Sequence, residues 1–166
     1  APTHHYAMSK LAMEHLARTY GGRLPLLITR PFNYTGPGQD PRFLLPKIVS
    51  HYRDRRPVIE LGNLDVIRDF SDVRFVTEAY IRLLDSPVVG ETVNLCSGQG
   101  TALRTLIGIM NRIAGYAIEV RTAPDLVRTS ELHQLVGCNR KLFGLIGELP
   151  VYPVEAIREH LSRFPE

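Results

Sequence analysis

Leu24-Pro25-Leu26-Leu27-Ile28-Thr29 is the stretch that decides the fold. A short unbroken apolar run of this kind suits a strand buried on both faces of a parallel sheet. Proline is tolerated only near the start of such a strand, where Pro25 stands. Upstream, Leu11, Met13, Leu16, Ala17 and Tyr20 recur at helical spacing between Tyr6 and Tyr20, and Gly21-Gly22 supply the stop. Downstream, Arg30 to Pro41 holds three prolines, two glycines, Asn33 and Gln39, a composition that predicts a loop.

The pattern continues in the same alternation. A helix is expected over 43–53, with Pro46 tolerated in its first turn, and a strand over 58–61. Asp72 is a candidate N-cap for a helix reaching Leu84. A strand over 91–96, a helix over 101–114 and a strand over 117–122 follow. Closing helices are expected over 139–146 and 153–164. Helices alternating with apolar strands give an α/β fold. One feature of a doubly wound sheet is missing, since the chain contains no G-x-G-x-x-G turn and opens on a helix. No repeat or linker divides it, so residues 1–166 are read as a single unit.

Composition narrows the function classes. The 166 residues are 44% hydrophobic and 22% charged, as in ordinary globular proteins. No apolar run is long enough for a membrane helix. The start, Ala1-Pro2-Thr3-His4-His5, predicts no signal peptide, and its lack of an initiator Met suggests a chain that begins inside a longer protein. The net charge of +3 is spread out, and Asp54 interrupts even the densest basic stretch, Arg53-Asp54-Arg55-Arg56. Nucleic acid and membrane are therefore not expected partners. Lys occurs only at positions 10, 47 and 141, so the basic residues are mostly Arg, the better fork for phosphate. The two cysteines, Cys96 and Cys138, form neither a disulfide framework nor a metal motif, and suit a reducing cytoplasm. The scattered histidines make no metal-ligand pair. A hydrolase nucleophile elbow is absent.

Tyr6 and Lys10 form the first chemical motif. Their i, i+4 spacing puts both on one helical face. An ammonium one turn away stabilises phenolate, which suits a Tyr exchanging a proton with an alcohol or ketone. The plain alternative is a packed Tyr beside a solvated Lys.

Tyr6-x-x-Ser9-Lys10 on a helix, then the strand through Arg30, then Pro31-Phe32-Asn33, resembles the second half of the extended short-chain dehydrogenase/reductase family. Further segments are similar to the branch that reduces GDP-linked 4-keto-6-deoxy sugars: Arg30-Pro31-Phe32-Asn33-Tyr34-Thr35-Gly36-Pro37-Gly38-Gln39, Gly62-Asn63-Leu64 with Arg68-Asp69-Phe70, and Asn94-Leu95-Cys96-Ser97-Gly98. So are Arg128-Thr129-Ser130-Glu131 and the following Val136-Gly137. Three positions depart from the branch: Tyr34 replaces a His, Thr129 a Pro and Cys138 an Asp.

The resemblance implies the C-terminal half of an extended Rossmann-type fold together with the small α/β substrate-binding part. Residues 1–35 would end the Rossmann-type part, and residues 36–166 would mostly form the sugar-nucleotide part. Tyr6 would donate the proton and Lys10 hold the nicotinamide ribose of NADP or NAD, with Pro31, Phe32 and Tyr34 beside the cofactor. Asn33, Lys47, Arg68, Arg128 and Glu131 would bind the GDP-sugar. For Arg68 the alternative is an ion pair with Asp69 or Asp72; for Arg128 and Glu131 it is a local salt bridge. The implied reaction is reduction of a C4 ketone. A GDP-mannose 4,6-dehydratase or another sugar-nucleotide epimerase is a second reading. A sugar-nucleotide binding module or inactive fragment is a third, of another class. Either a homo-oligomer or a missing N-terminal half is expected to complete the fold.

Overall fold

A computed structural model describes residues 5–127 and 132–153. Helix α1 (His5–Arg18) is closed by the turn at residues 19–22. Strand β1 (Ile28–Pro31) pairs in parallel with β5 (Thr92–Leu95), Ile28 lying opposite Thr92 and Pro31 opposite Leu95. The strand thus starts four residues later than its apolar run. The paired register begins at Thr92; before it, the Gly90 amide donates to the Leu26 carbonyl and the Ile28 amide to the Glu91 carbonyl.

The expected loop after β1 contains a further strand. β2 (Asn33–Thr35) pairs in parallel with β4 (Ile67–Asp72). Strand β4 was not expected, because Ile-Arg-Asp-Phe-Ser-Asp has three charged side chains. It is nevertheless the hub of its sheet. β6 (Gly100–Ala102) runs antiparallel along it and β8 (Gln134–Leu135) parallel, both at Ile67 and Arg68. A separate parallel pair joins β3 (Val58–Leu61) to β7 (Glu119–Thr122), matching the expected strands closely.

Four helices cover these strands. α2 (Leu44–Arg53) buries Leu45, Ile48, Val49 and Tyr52, an i, i+3, i+4, i+7 stripe. Pro46 is its third residue, where no intrahelical N–H bond is required. α3 (Val73–Asp85) is capped as expected, the Asp72 carboxylate accepting from the Arg74 amide at 2.8 Å. α4 (Leu103–Ala114) ends at Gly115, whose φ of 74° is cheap only for glycine. A 3-10 turn, Pro124–Leu126, leads to the undescribed residues 128–131, and α5 (Arg140–Ile146) follows β8. The expected helix over 153–164 lies almost wholly outside the described residues.

Two apolar clusters hold the fold. One joins α2, β3 and α4 through Ile48, Ile59, Leu106 and Met110. The other joins α3, β5 and α5 through Phe75, Val93, Leu95 and Leu142. Each fully buried aliphatic or aromatic side chain contributes about 1.5–3 kcal/mol. Tyr152 packs against both clusters. Phe70 of β4 belongs to the first cluster, and a cavity opens along one face of that strand.

Candidate functional site

Strand alternation sets the site. Along β4, Arg68 and Phe70 face a cavity of about 710 Å³, while Asp69 and Ser71 point the other way into buried surroundings. β2 supplies Asn33 and Tyr34 to the same cavity, α2 supplies Lys47, and the end of β3 supplies Leu61 with Gly62 and Asn63 beyond it. Tyr6, at the start of α1, reaches the rim and is 68% exposed.

The structure brings most of the expected residues together. Tyr6, Phe32, Asn33, Tyr34, Lys47 and Arg68 all line this cavity. Lys10 does not, but its ammonium sits over the Tyr6 ring, 5.6 Å from the centroid. That is cation–π range. Pro31 is exposed at the end of β1, next to the lining residue Phe32. Arg128 and Glu131 lie outside the described residues.

Hydrogen bonds fix several of these groups. The Asn33 side-chain amide donates to the main-chain carbonyl of Asp69 at 3.3 Å. The Lys47 ammonium donates to the Glu60 carbonyl at 2.6 Å, which holds it at the cavity wall. Arg68 Nη1 donates to the carbonyls of Ile67 and Leu132, each at 2.9 Å. The second bond ties the cation to the segment that follows residues 128–131. Both aspartates that could pair with Arg68 also make other bonds. Asp72 caps α3 and bonds the Arg74 guanidinium at two points, each at 2.8 Å.

Asp69, which the sequence offers only as a candidate partner for Arg68, has a larger structural role. It is fully buried. One carboxylate oxygen accepts from the Ser97 amide at 2.9 Å and the Ser97 hydroxyl at 2.6 Å. The other accepts from the amides of Gly98 at 3.0 Å and Gly137 at 3.1 Å. One side chain therefore binds β4 to the loop after β5 and to the segment after β8. Its neighbour Gly137 must be glycine, since a Cβ there would stand 2.6 Å from Cys96 Cβ and 3.0 Å from Phe32 Cζ. Burial also keeps the Cys96 thiol protonated, pushing its pKa up to about 11. The run Arg68-Asp69 was visible in the sequence, but the partners of Asp69 were not.

Gln39, in the loop after β2, has a structural role that the sequence does not reveal. It braces the β2 loop, its side-chain oxygen accepting from Thr35 Oγ1 at 2.5 Å and its amide donating to the Tyr34 carbonyl at 3.3 Å. Arg42 also lines the cavity and is held by the Asp40 carboxylate at 2.8 Å.

The arrangement offers a phenol and an ammonium at the rim, amide donors along β2 and cations deeper in. That donor set fits an anionic, hydroxyl-rich ligand with a reactive carbonyl near Tyr6. It also fits a nicotinamide ribose at Tyr6 and Lys10. The NAD dependent epimerase/dehydratase family matches residues 1–96. The chain belongs to that family. It is 35% identical, over 98% of its own length and 55% of the relative's, to a GDP-6-deoxy-D-talose 4-dehydrogenase of Aggregatibacter actinomycetemcomitans. It is 34% identical to a GDP-6-deoxy-D-mannose reductase of Pseudomonas aeruginosa, over 97% of this chain and 56% of that one. The solved structure of RMD from P. aeruginosa complexed with NADPH superposes with a TM-score of 0.86 at 33% identity, over 98% of this chain and 56% of that one. The chain spans about half the length of the curated relatives it matches. No helix among the described residues is long and apolar enough to cross a membrane.

Proposed function

We propose that this chain is the substrate-binding part of a nicotinamide-dependent oxidoreductase that interconverts the C4 ketone and alcohol of a GDP-linked 6-deoxy sugar. The observation that carries this reading is the shared cavity. Tyr6 stands at its rim with Lys10 over the phenol ring, and Asn33, Lys47 and Arg68 lie along its walls. Two relatives whose names specify GDP-linked 6-deoxy sugars support the substrate class.

The roles follow from the chemistry of each group. Arg68 and Lys47 supply the positive charge that a diphosphate requires, Arg68 as a planar fork and Lys47 as a point charge. Asn33 offers an amide to the diphosphate or sugar. Arg128 and Glu131 are proposed to complete the nucleotide site, Glu131 accepting from the ribose diol. At the rim, Phe32 and Tyr34 with the neighbouring Pro31 would flank NADP or NAD, and Lys10 would hold its ribose. The nicotinamide, when bound, supplies the hydride. The Tyr6 phenol donates the proton to the carbonyl oxygen as it gains negative charge, and Lys10 stabilises the resulting phenolate.

On this reading residues 1–35 belong with the cofactor half and residues 36–166 mostly with the sugar nucleotide. We further propose that a homo-oligomer or a further N-terminal half completes the fold, in a cytoplasmic setting. The apolar side chains exposed along α1 support the first, and two free cysteines support the second.

Titration calorimetry on the full-length protein tests the nucleotide site. GDP should bind more tightly than GMP, and Arg68→Ala should cost about 1.5–3 kcal/mol, as loss of a charged hydrogen bond does. Equal affinities for GDP and GMP would remove the diphosphate assignment. For the chemistry, Tyr6→Phe should abolish turnover with little change in GDP affinity. Release of a dehydrated sugar instead of a reduced one would reassign the enzyme to the dehydratase branch. GDP binding without any response to NADPH would reduce it to a binding module.

A further inference from the structure

Helix α1 carries the proposed proton donor, yet none of its residues is buried. Apolar packing within this chain therefore does not fix its position. Polar bonds to the sheet hold it instead. Glu14 accepts from Arg30 at two points, Nε to Oε1 at 2.8 Å and Nη2 to Oε2 at 2.6 Å. One turn on, Arg18 Nη2 donates to the Thr92 hydroxyl of β5 at 2.7 Å. Tyr6, Lys10, Glu14 and Arg18 are spaced by four, so they form one slowly drifting stripe along the helix. The upper two residues form the chemical pair, and the lower two are bolted to β1 and β5.

The other end of the bolt is just as informative. Arg30 lies in β1, two residues before Phe32 and three before Asn33, both of which line the cavity. A two-point guanidinium–carboxylate bond fixes orientation as well as distance. Tyr6 stands eight residues up the helix from Glu14, about 12 Å at 1.5 Å per residue. A small rotation at Glu14 therefore swings the phenol through a much larger arc. The Glu14 side chain is 14% exposed and that of Arg30 51%, so water reaches the pair from the Arg30 side.

We propose that Glu14 is a positioning residue: its two-point bond to Arg30 sets the height and tilt of α1 so that Tyr6 meets the cavity wall formed by Phe32 and Asn33. The inference rests on the reading of Tyr6 as the proton donor. It adds a residue that touches neither substrate nor cofactor.

The test uses the full-length protein with Glu14→Gln, the single variants Glu14→Arg and Arg30→Glu, and the charge exchange that combines those two. Glu14→Gln keeps the shape but loses the charge-assisted fork. It should lower kcat by about 10²-fold, the scale of a 1 Å misplacement, while KM for the sugar nucleotide moves less than threefold. The exchange should recover at least tenfold over the weaker single variant. Hydrogen exchange gives a readout besides turnover: α1 amides should exchange at least tenfold faster in Glu14→Gln, with α2 and α4 unchanged.

Unchanged α1 exchange overturns the proposal whatever the kinetics. So does a kcat loss matched by an equal KM rise, or an exchange variant no better than the product of its singles. If Tyr6→Phe keeps its turnover while α1 exchange accelerates in Glu14→Gln, the clamp stands and the functional reading falls.

Discussion

At residue scale the decisive contrast lies between Arg68 and Asp69, which are adjacent in sequence and opposite in role. Arg68 faces the cavity, where the proposed role is a phosphate fork. Asp69 faces inward and gathers four donors, from Ser97 twice and from Gly98 and Gly137 once each. A buried carboxylate is tolerable only when satisfied in this way. Asp69→Asn keeps one oxygen but turns an amide toward N–H donors. It should lower unfolding stability by about 3 kcal/mol, the scale of lost hydrogen bonds to a charged group. Chemical denaturation checks this, and a loss as small as that of Ser97→Ala, which leaves the three main-chain amides on Asp69 in place, would contradict the assignment. The two cysteines allow a second prediction. Arg140 Nε donates to Cys138 Sγ at 3.4 Å and holds that exposed thiol below its ordinary range, whereas Cys96 is buried and raised to about 11. The thiolate is the nucleophile, so iodoacetamide at pH 7.5 should label Cys138 well before Cys96. Mass spectrometry of the native protein reads this directly, and equal labelling would show that Cys96 is not enclosed.

At the scale of elements, legibility in the sequence followed the range of the causes. The apolar spacing in α2 and the four-residue β3 are local signals, and both elements formed where expected. So did the Asp72 cap, whose partner Arg74 is two residues away. β4 was missed because its charged residues are satisfied from far along the chain. Ser97 is 28 residues beyond Asp69 and Gly137 is 68. β2 and β6 are three-residue strands that exist only because β4 offers them a partner. The candidate site divides similarly. Tyr6, Asn33 and Arg68 were visible as residue types in motifs, while the Glu14–Arg30 bond joining helix to strand was not. Packing between elements yields its own prediction at Gly62, which lines the cavity at the end of β3. A Cβ there would stand 2.6 Å from the Leu126 carbonyl oxygen, so the 3-10 turn must shift. Such overpacking costs about 1–3 kcal/mol. The turn leads into residues 128–131, which hold the proposed nucleotide contacts. Gly62→Ala should therefore weaken GDP binding about tenfold, roughly 1.4 kcal/mol. Unaltered affinity by calorimetry would mean that this turn does not shape the nucleotide site.

At the scale of the whole molecule, the two ends of the proposed reaction are supported unequally. The sugar-nucleotide side has a walled cavity with cations held by hydrogen bonds. The cofactor side has the Tyr6–Lys10 pair on a helix with no buried residue, and the chain contains no G-x-G-x-x-G turn for a dinucleotide pyrophosphate. Met8, Met13 and Leu16 of that helix are each more than half exposed, an apolar surface that in water favours association. The sheet pairing of β1 with β5 alone leaves further strand edge open among the described residues. These facts separate binding from turnover. The 166-residue chain, expressed by itself, should bind GDP through the Arg68 and Lys47 wall yet oxidise no NADPH, and it should self-associate as its concentration rises. Calorimetry, absorbance at 340 nm and light scattering measure the three outcomes independently. A monomer at high concentration would remove the association. Turnover of a GDP-4-keto-6-deoxy sugar by this chain alone would mean that Tyr6 and Lys10, with the rim formed by Phe32 and Tyr34, suffice to hold the cofactor without a glycine-rich turn.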